Sequence, residues 1–166
     1  MPALLVHFYN PVLDNDGVLN KLVALADPPY CHCELEFGEG KSCAVYLNGK
    51  THVKIRSFDP NSYDTVSVTC SNEQKARALE LALQFEADGQ AFSKRAMLAS
   101  KFARVPTPDA HKFTCCSKLC CELLQAADAL PPDLSAARLT PSALHAALSA
   151  RRTLVCDSTV IDFRPD

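Results

Sequence analysis

Two short stretches hold most of the chemistry open to this chain: Cys31-His32-Cys33-Glu34 and Phe113-Thr114-Cys115-Cys116-Ser117-Lys118. In the second, Cys116 falls near the start of an apolar run that reads as a helix. A cysteine in the first helical turn feels the positive end of the helix dipole, which favours its thiolate. Lys118 adds in the same sense if its ammonium points inward, and Leu119, Leu123 and Leu124 anchor the helix behind it. In the first stretch, His32 and Glu34 stand two residues apart on a strand and share a face. A histidine that accepts a thiol proton needs its ring held and its charge balanced, and a carboxylate two residues away can do both. Each feature also has a plain structural reading. The cysteines of 115–121 suit small core fillers, and His32, Glu34 and Glu36 suit the solvated outer face of a one-sided sheet. Cys115 is a second candidate nucleophile.

The remaining chemistry is sparse. His7 lies in an apolar strand, His52 beside Lys54 and Arg56 on an outward face, His111 in a Pro-rich loop and His145 on a late helix. No G-x-S-x-G, Walker or Rossmann pattern occurs. Asp14-Asn15-Asp16-Gly17 starts like a calcium loop but lacks the later Glu, so it reads as a helix cap. The chain has nine cysteines, an odd number that does not suit a secreted disulfide scaffold. Neither cysteine cluster has the paired C-x-x-C spacing of zinc sites, so no metal and no cofactor is expected.

The elements that must position these residues follow from patterning. Ala3–Tyr9 is an apolar, β-prone strand, and Asp14–Asp27 reads as a helix stopped by Pro28-Pro29. Cys31–Phe37 alternates as a strand, Gly38-Glu39-Gly40 turns, and Ser42–Leu47 and Thr51–Phe58 are strands joined by the hairpin signal Asn48-Gly49. Tyr63–Cys70 alternates again. Ser71-x-x-Gln74 is a capping box for a helix to about Ala87, with Ala78, Leu79, Ala82, Leu83 and Phe85 expected inside. Ala91–Phe102 reads as a short helix, 105–108 as a loop and Phe113–Leu130 as a buried helix. Thr140-Pro141 opens another helix, and Thr153–Phe163 reads as a weak last strand. Strand, helix, several antiparallel strands and then helices make an α+β layout in a single domain spanning 1–166.

At 166 residues, 48% hydrophobic and 22% charged, the chain can bury an ordinary core. A net charge of -2 gives no electrostatic reason to expect nucleic acid as a partner. No apolar run reaches the roughly 20 residues of a membrane helix. The first residues lack the basic and apolar regions of an export signal, which points to a cytoplasmic setting where thiols stay reduced.

Together the Cys-His-Cys-Glu-Leu-Glu-Phe strand, the Ser-capped helix and the late Phe-Thr-Cys-Cys-Ser-Lys-Leu helix start resemble a known family. They are similar to the circularly permuted NlpC-type papain-like hydrolases of bacteria, phages and large DNA viruses, poxviruses among them. The likeness covers roughly Val6 to Leu148, including Thr140-Pro141-Ser142-Ala143-Leu144 as the late helix start. It implies a permuted papain-like fold with Cys116 as nucleophile, His32 as base and Glu34 at a family-pattern position, acting on a peptide, amide or acyl substrate. Lys118 replaces the Glu frequent in the family. The third polar residue that members carry on the next strand has no good counterpart in 43–47, with Asn48 and His52 the nearest. That departure leaves room for a structural protein on the same scaffold, such as a viral minor capsid or assembly component bound to other capsid proteins or located in the virion. A lipid acyltransferase is a third reading.

Overall fold

The computed structural model describes residues 2–11, 28–101 and 112–157, with side chains of 99–101 and 151–157 left aside. The predicted helix at Asp14–Asp27, the loop 105–108 and His111 lie outside the described residues. β1 (Ala3–Tyr9), β2 (His32–Glu36), β3 (Lys41–Ala44), β4 (His52–Ile55) and β5 (Tyr63–Thr69) form one antiparallel sheet in the order β4-β3-β2-β1-β5. Helices α1 (Asn72–Ala87), α2 (Lys94–Lys101), α3 (Cys116–Ala126) and α4 (Pro141–Asp157) follow, and a two-stranded parallel pair, β6 (Ala91–Phe92) and β7 (Phe113–Thr114), lies between them. The protein is α+β, with helices packed on one face of an antiparallel sheet.

The register sorts each strand into two faces. Leu4, Val6 and Phe8 of β1 share the core face with Cys33 and Leu35 of β2, Cys43 of β3 and Val66 of β5. Against them α3 buries Leu119, Leu123 and Leu124 completely. Burying each of these side chains contributes about 1.5–3 kcal/mol. The described cysteines are free thiols, and all but the half-buried Cys31 are buried. Cys43, Cys70, Cys120 and Cys121 fill core positions as small apolar residues, as the sequence suggests for most of the cysteines.

Local chemistry sets the helix starts. Ser71 and Gln74 exchange both bonds of the predicted capping box, at 3.2 Å and 2.8 Å. The Ala96 N–H donates to Ser93 Oγ at 3.2 Å, and the Ala143 N–H to Thr140 Oγ1 at 3.2 Å, so both later helices have hydroxyl caps. Arg77 of α1 donates from Nε to the Ala126 carbonyl at 3.0 Å, covering an acceptor left open at the end of α3. α4 is fastened to the sheet by His145, whose Nε2 lies 3.0 Å from Asp64 Oδ2, and the Tyr30 hydroxyl donates to the same oxygen at 2.7 Å.

Several sequence expectations need correction. α4 runs through Asp157, so 153–157 is helical rather than strand, because the turn periodicity set by Thr140 carries on. The helix expected from Phe113 starts at Cys116, since Phe113–Thr114 pairs with β6 instead. β6 likewise takes the first residues of the helix expected from Ala91. Leu83 of α1 is 47% exposed, because the core stripe of this helix runs through Ala78 and Ala82. Asn48-Gly49 does make a turn, with the Gly49 N–H donating to Tyr46 O at 2.9 Å and Asn48 at φ 61°. Yet β3 ends at Ala44 and β4 begins at His52, so residues 45–51 form a loop beyond the paired strands.

The two leucines make a direct test. Leu123→Ala should destabilise the protein by about 2–5 kcal/mol, whereas Leu83→Ala should stay within about 0.5 kcal/mol. Urea unfolding followed by circular dichroism reads both.

Candidate active site

The site begins where β3 leaves β2. The Phe37 N–H donates to Lys41 O at 2.8 Å, so odd-numbered residues of β2 turn their backbone groups toward β3. The β2–β3 ladder pairs Leu35 with Cys43, and the next such pair would join Cys33 to Val45. β3 stops at Ala44, so Cys33 has no strand partner on that side. The start of α3 occupies the notch. The Cys33 N–H and its S–H both donate to the Cys116 sulfur. A missing ladder partner thus becomes a donor to the thiolate.

The approach of α3 is fixed by backbone bonds. The Ala91 N–H donates to Lys112 O at 3.0 Å and the Ser93 N–H to Thr114 O at 2.9 Å, which aligns the segment entering the helix. The Phe92 N–H donates to Gly49 O and the Thr51 N–H to Gln90 O, both at 2.8 Å, which ties the same segment to the 45–51 loop. Cys116 is the first residue of an eleven-residue helix, and Cys115 before it supplies no oxygen cap. Cys116 therefore lies at the positive end of the helix.

The structure brings Cys116, His32 and Glu34 together. The hydrogen bond from Cys33 holds the Cys116 thiol well below its ordinary range; burial opposes this, and the bond and charge of His32 reinforce it. Burial alone would push His32 down. The hydrogen bond to Cys116, with the nearby charges of Cys116 and Glu34, reverses that and carries it up to about 10. Both shifts act in the same sense, favouring a thiolate on Cys116 and a proton on His32. Burial would raise Glu34, but His32 and then Arg56 outweigh it and the carboxyl is lowered. Its Oε1 lies 3.4 Å from His32 Nε2, an ion-pair separation, and Nε2 makes no hydrogen bond among the described residues.

Cys115 is different. It is 1% exposed, and burial, with the neighbouring Cys116 charge adding to it, pushes its thiol up to about 11. Of the two candidate sulfurs, only Cys116 has its thiolate favoured. Lys118 does not turn to Cys116, contrary to the inward orientation considered from sequence. Its Nζ donates to Phe113 O at 3.0 Å and pairs with Glu122 at 3.3 Å.

The solvated face considered for His32, Glu34 and Glu36 is not found; these residues line a covered polar layer. Glu34 is 0% exposed and Glu36 8%. The chain after β4 folds back across this face, where Phe58 stacks on His7 with centroids 3.7 Å apart. His7 Nε2 meets Glu36 Oε2 at 2.8 Å, and Nδ1 meets Thr65 Oγ1 at 2.9 Å. Around Glu34, the Tyr46 hydroxyl donates to Oε1 at 2.5 Å, Arg56 Nη1 to the same oxygen at 2.5 Å, and Ser42 Oγ to Oε2 at 3.5 Å. The Tyr46 ring lies between His32, at 4.9 Å, and His52, at 5.4 Å.

Tyr46, Arg56 and the donor role of Cys33 were missed in the sequence. The signal lay in the register. The turn at 38–40 pairs Glu36 with Ser42, and counting onward sets Tyr46 opposite His32. The third group expected on 43–47 or at Asn48 or His52 does not reach His32 as an acceptor; Glu34 occupies that place. No group of three or more His, Cys, Asp or Glu residues able to hold a metal occurs among the described residues. No helix among them is long and apolar enough to cross a membrane.

No protein-family model matches the chain, and no curated protein or solved structure matches it significantly.

Two readouts test the ion pair. Iodoacetamide at neutral pH should alkylate Cys116 far faster than Cys115, as peptide mass spectrometry would read. Alkylation should fade only when acid protonates the thiolate below the ordinary thiol range. Above about pH 10 it should persist, because losing the His32 proton leaves the thiolate intact.

Proposed function

We propose that this chain is a cysteine hydrolase of permuted papain-like architecture, cleaving a peptide, amide or acyl substrate through Cys116 and His32. The observation that carries this reading is the meeting of the Cys116 sulfur, at the start of a late helix, with the His32 imidazole of an early strand, the two joined by a hydrogen bond. Core-filling cysteines need no imidazole at hydrogen-bonding distance, and a buried histidine ordinarily loses its proton rather than keeping it. The chain order, base strand first and nucleophile helix last, fits the permuted arrangement.

The chemistry runs in two halves. The Cys116 sulfur attacks the carbonyl carbon, and the oxyanion settles against the N–H groups of the first turn of α3. The imidazolium of His32 gives its proton to the leaving group as the carbon–leaving-group bond breaks, leaving an acyl thioester. Neutral His32 then takes a proton from water, whose oxygen attacks the thioester. The acid departs and the ion pair is restored. Glu34 holds the charge of the imidazolium through both halves. Its 3.4 Å separation from His32 suits a site without substrate, where catalytic contacts are commonly loose.

A panel of aryl esters, thioesters and peptide amides tests the proposal. Cys116→Ala should abolish turnover, and His32→Ala should lower kcat/KM by roughly 10²–10⁴-fold. Cys115→Ala should keep activity. Hydrolysis should fall above about pH 10, where His32 loses the proton it donates, even though alkylation continues there. Undiminished turnover in folded Cys116→Ala protein would falsify the assignment.

A further inference from the structure

Hydrolysis by a Cys–His pair requires a thiolate and an imidazolium; it does not by itself require a guanidinium. Here two donors and an imidazole converge on one oxygen. Glu34 Oε1 is 2.5 Å from Arg56 Nη1, 2.5 Å from the Tyr46 hydroxyl and 3.4 Å from His32 Nε2. We propose that Arg56 and Tyr46 are positioning residues for the Cys116–His32 pair, acting through Glu34 by occupying the oxygen that would otherwise draw the proton from His32. The proposal rests on the hydrolase reading of that pair.

The geometry has a direction. A carboxylate in contact with an imidazolium can either balance its charge or accept its proton, and acceptance would leave nothing for the leaving group. Two short, strong bonds to Oε1 make that oxygen a poor base while keeping its charge. His32 is left at ion-pair distance, held in place by the stacked Tyr46 ring. The guanidinium is fixed in turn over the rings of Tyr46, at 5.5 Å, and Phe58, at 5.3 Å. Charges alternate from sulfur to imidazole to carboxylate to guanidinium. Only the last is appreciably open to solvent, with the Arg56 side chain 30% exposed against 0% for Glu34.

The other titratable groups around Glu34 do not substitute for Arg56. His7 from β1 is engaged by Glu36 and Thr65, and burial lowers its affinity for a proton. Cys43 of β3 is a buried thiol raised above its ordinary range. Tyr63 of β5 is raised by burial and by the Glu34 charge, so it stays neutral. Among these groups Arg56 carries the fixed positive charge.

The test needs no substrate. The rate of Cys116 alkylation by iodoacetamide is followed against pH, by peptide mass spectrometry, in the wild type, Arg56→Met, Arg56→Lys and Tyr46→Phe. Arg56→Met should move the acid limb up by about one pH unit, so that alkylation on that limb is about tenfold slower. Arg56→Lys, which keeps the charge without the fork, should fall between Arg56→Met and the wild type. Tyr46→Phe, which keeps the ring, should shift the limb less in the same direction. A folded Arg56→Met protein with the wild-type limb overturns the proposal, since a merely structural role would alter stability and leave the limb in place. The wild type supplies an independent measurement by carbon NMR of the Glu34 carboxyl. The carboxyl should remain ionised at the ordinary glutamate value of about 4.3, and protonation at or above that value also overturns the proposal. A limb that moves in a protein unable to hydrolyse any of the panel keeps this role for Arg56 and rejects only the hydrolase reading.

Discussion

The Glu34 carboxylate is sealed from water, and much of the surrounding structure answers to that single constraint. An unpaired buried carboxylate would cost several kcal/mol or would give up its charge. Arg56, Tyr46, Ser42 and His32 come from different parts of the chain to supply partners. Their convergence decides how the strand that follows the hairpin returns, why Phe58 lies over His7, and why the loop after β3 turns Tyr46 outward instead of continuing the ladder.

The opposite side of the sheet solves a different problem. There the packing is apolar, and α3 is pressed onto β2 by leucines with no polar atoms to satisfy. The sulfur of Cys116 sits where these two regimes meet, at the first residues of β2, and takes contacts from both. Cys33 approaches from the core face, His32 from the polar layer. Neither region alone would produce a stable thiolate. The core would protonate the sulfur, as it does Cys115, and the polar layer has no helix start to offer.

Much of this was readable in the residues. Strand alternation placed Cys33 and Leu35 inside, Ser71 and Gln74 announced α1, and Thr140-Pro141 announced α4. Cys116, His32 and Glu34 could be named because their types and spacing restrict what they can do. The covered polar layer was not readable in the same way. Alternation reports which residues share a face, and it cannot tell a face open to water from one roofed by a later segment. Phe58 and Arg56 form that roof, and nothing local marks them as a lid. The end of α4 was misread because Thr153 to Asp157 contains β-branched residues, whose local preference yields to the helix already under way. The start of α3 shifted because a two-residue parallel pairing, too short to leave a pattern, claimed Phe113 and Thr114.

The interior of this protein is built partly of sulfur. Cys43, Cys120 and Cys121 stand at positions fully closed to solvent, where valine or alanine would ordinarily serve. A thiol packs as well as a methyl group, but it can climb an oxidation ladder that carbon cannot. A sulfinate at any of these three places would put an anion inside the hydrophobic core. A buried thiol meets peroxide through local opening, so the rate of oxidative damage is tied to the frequency of that opening. Tight packing and chemical durability are therefore one property here, and whatever loosens the core also ages it.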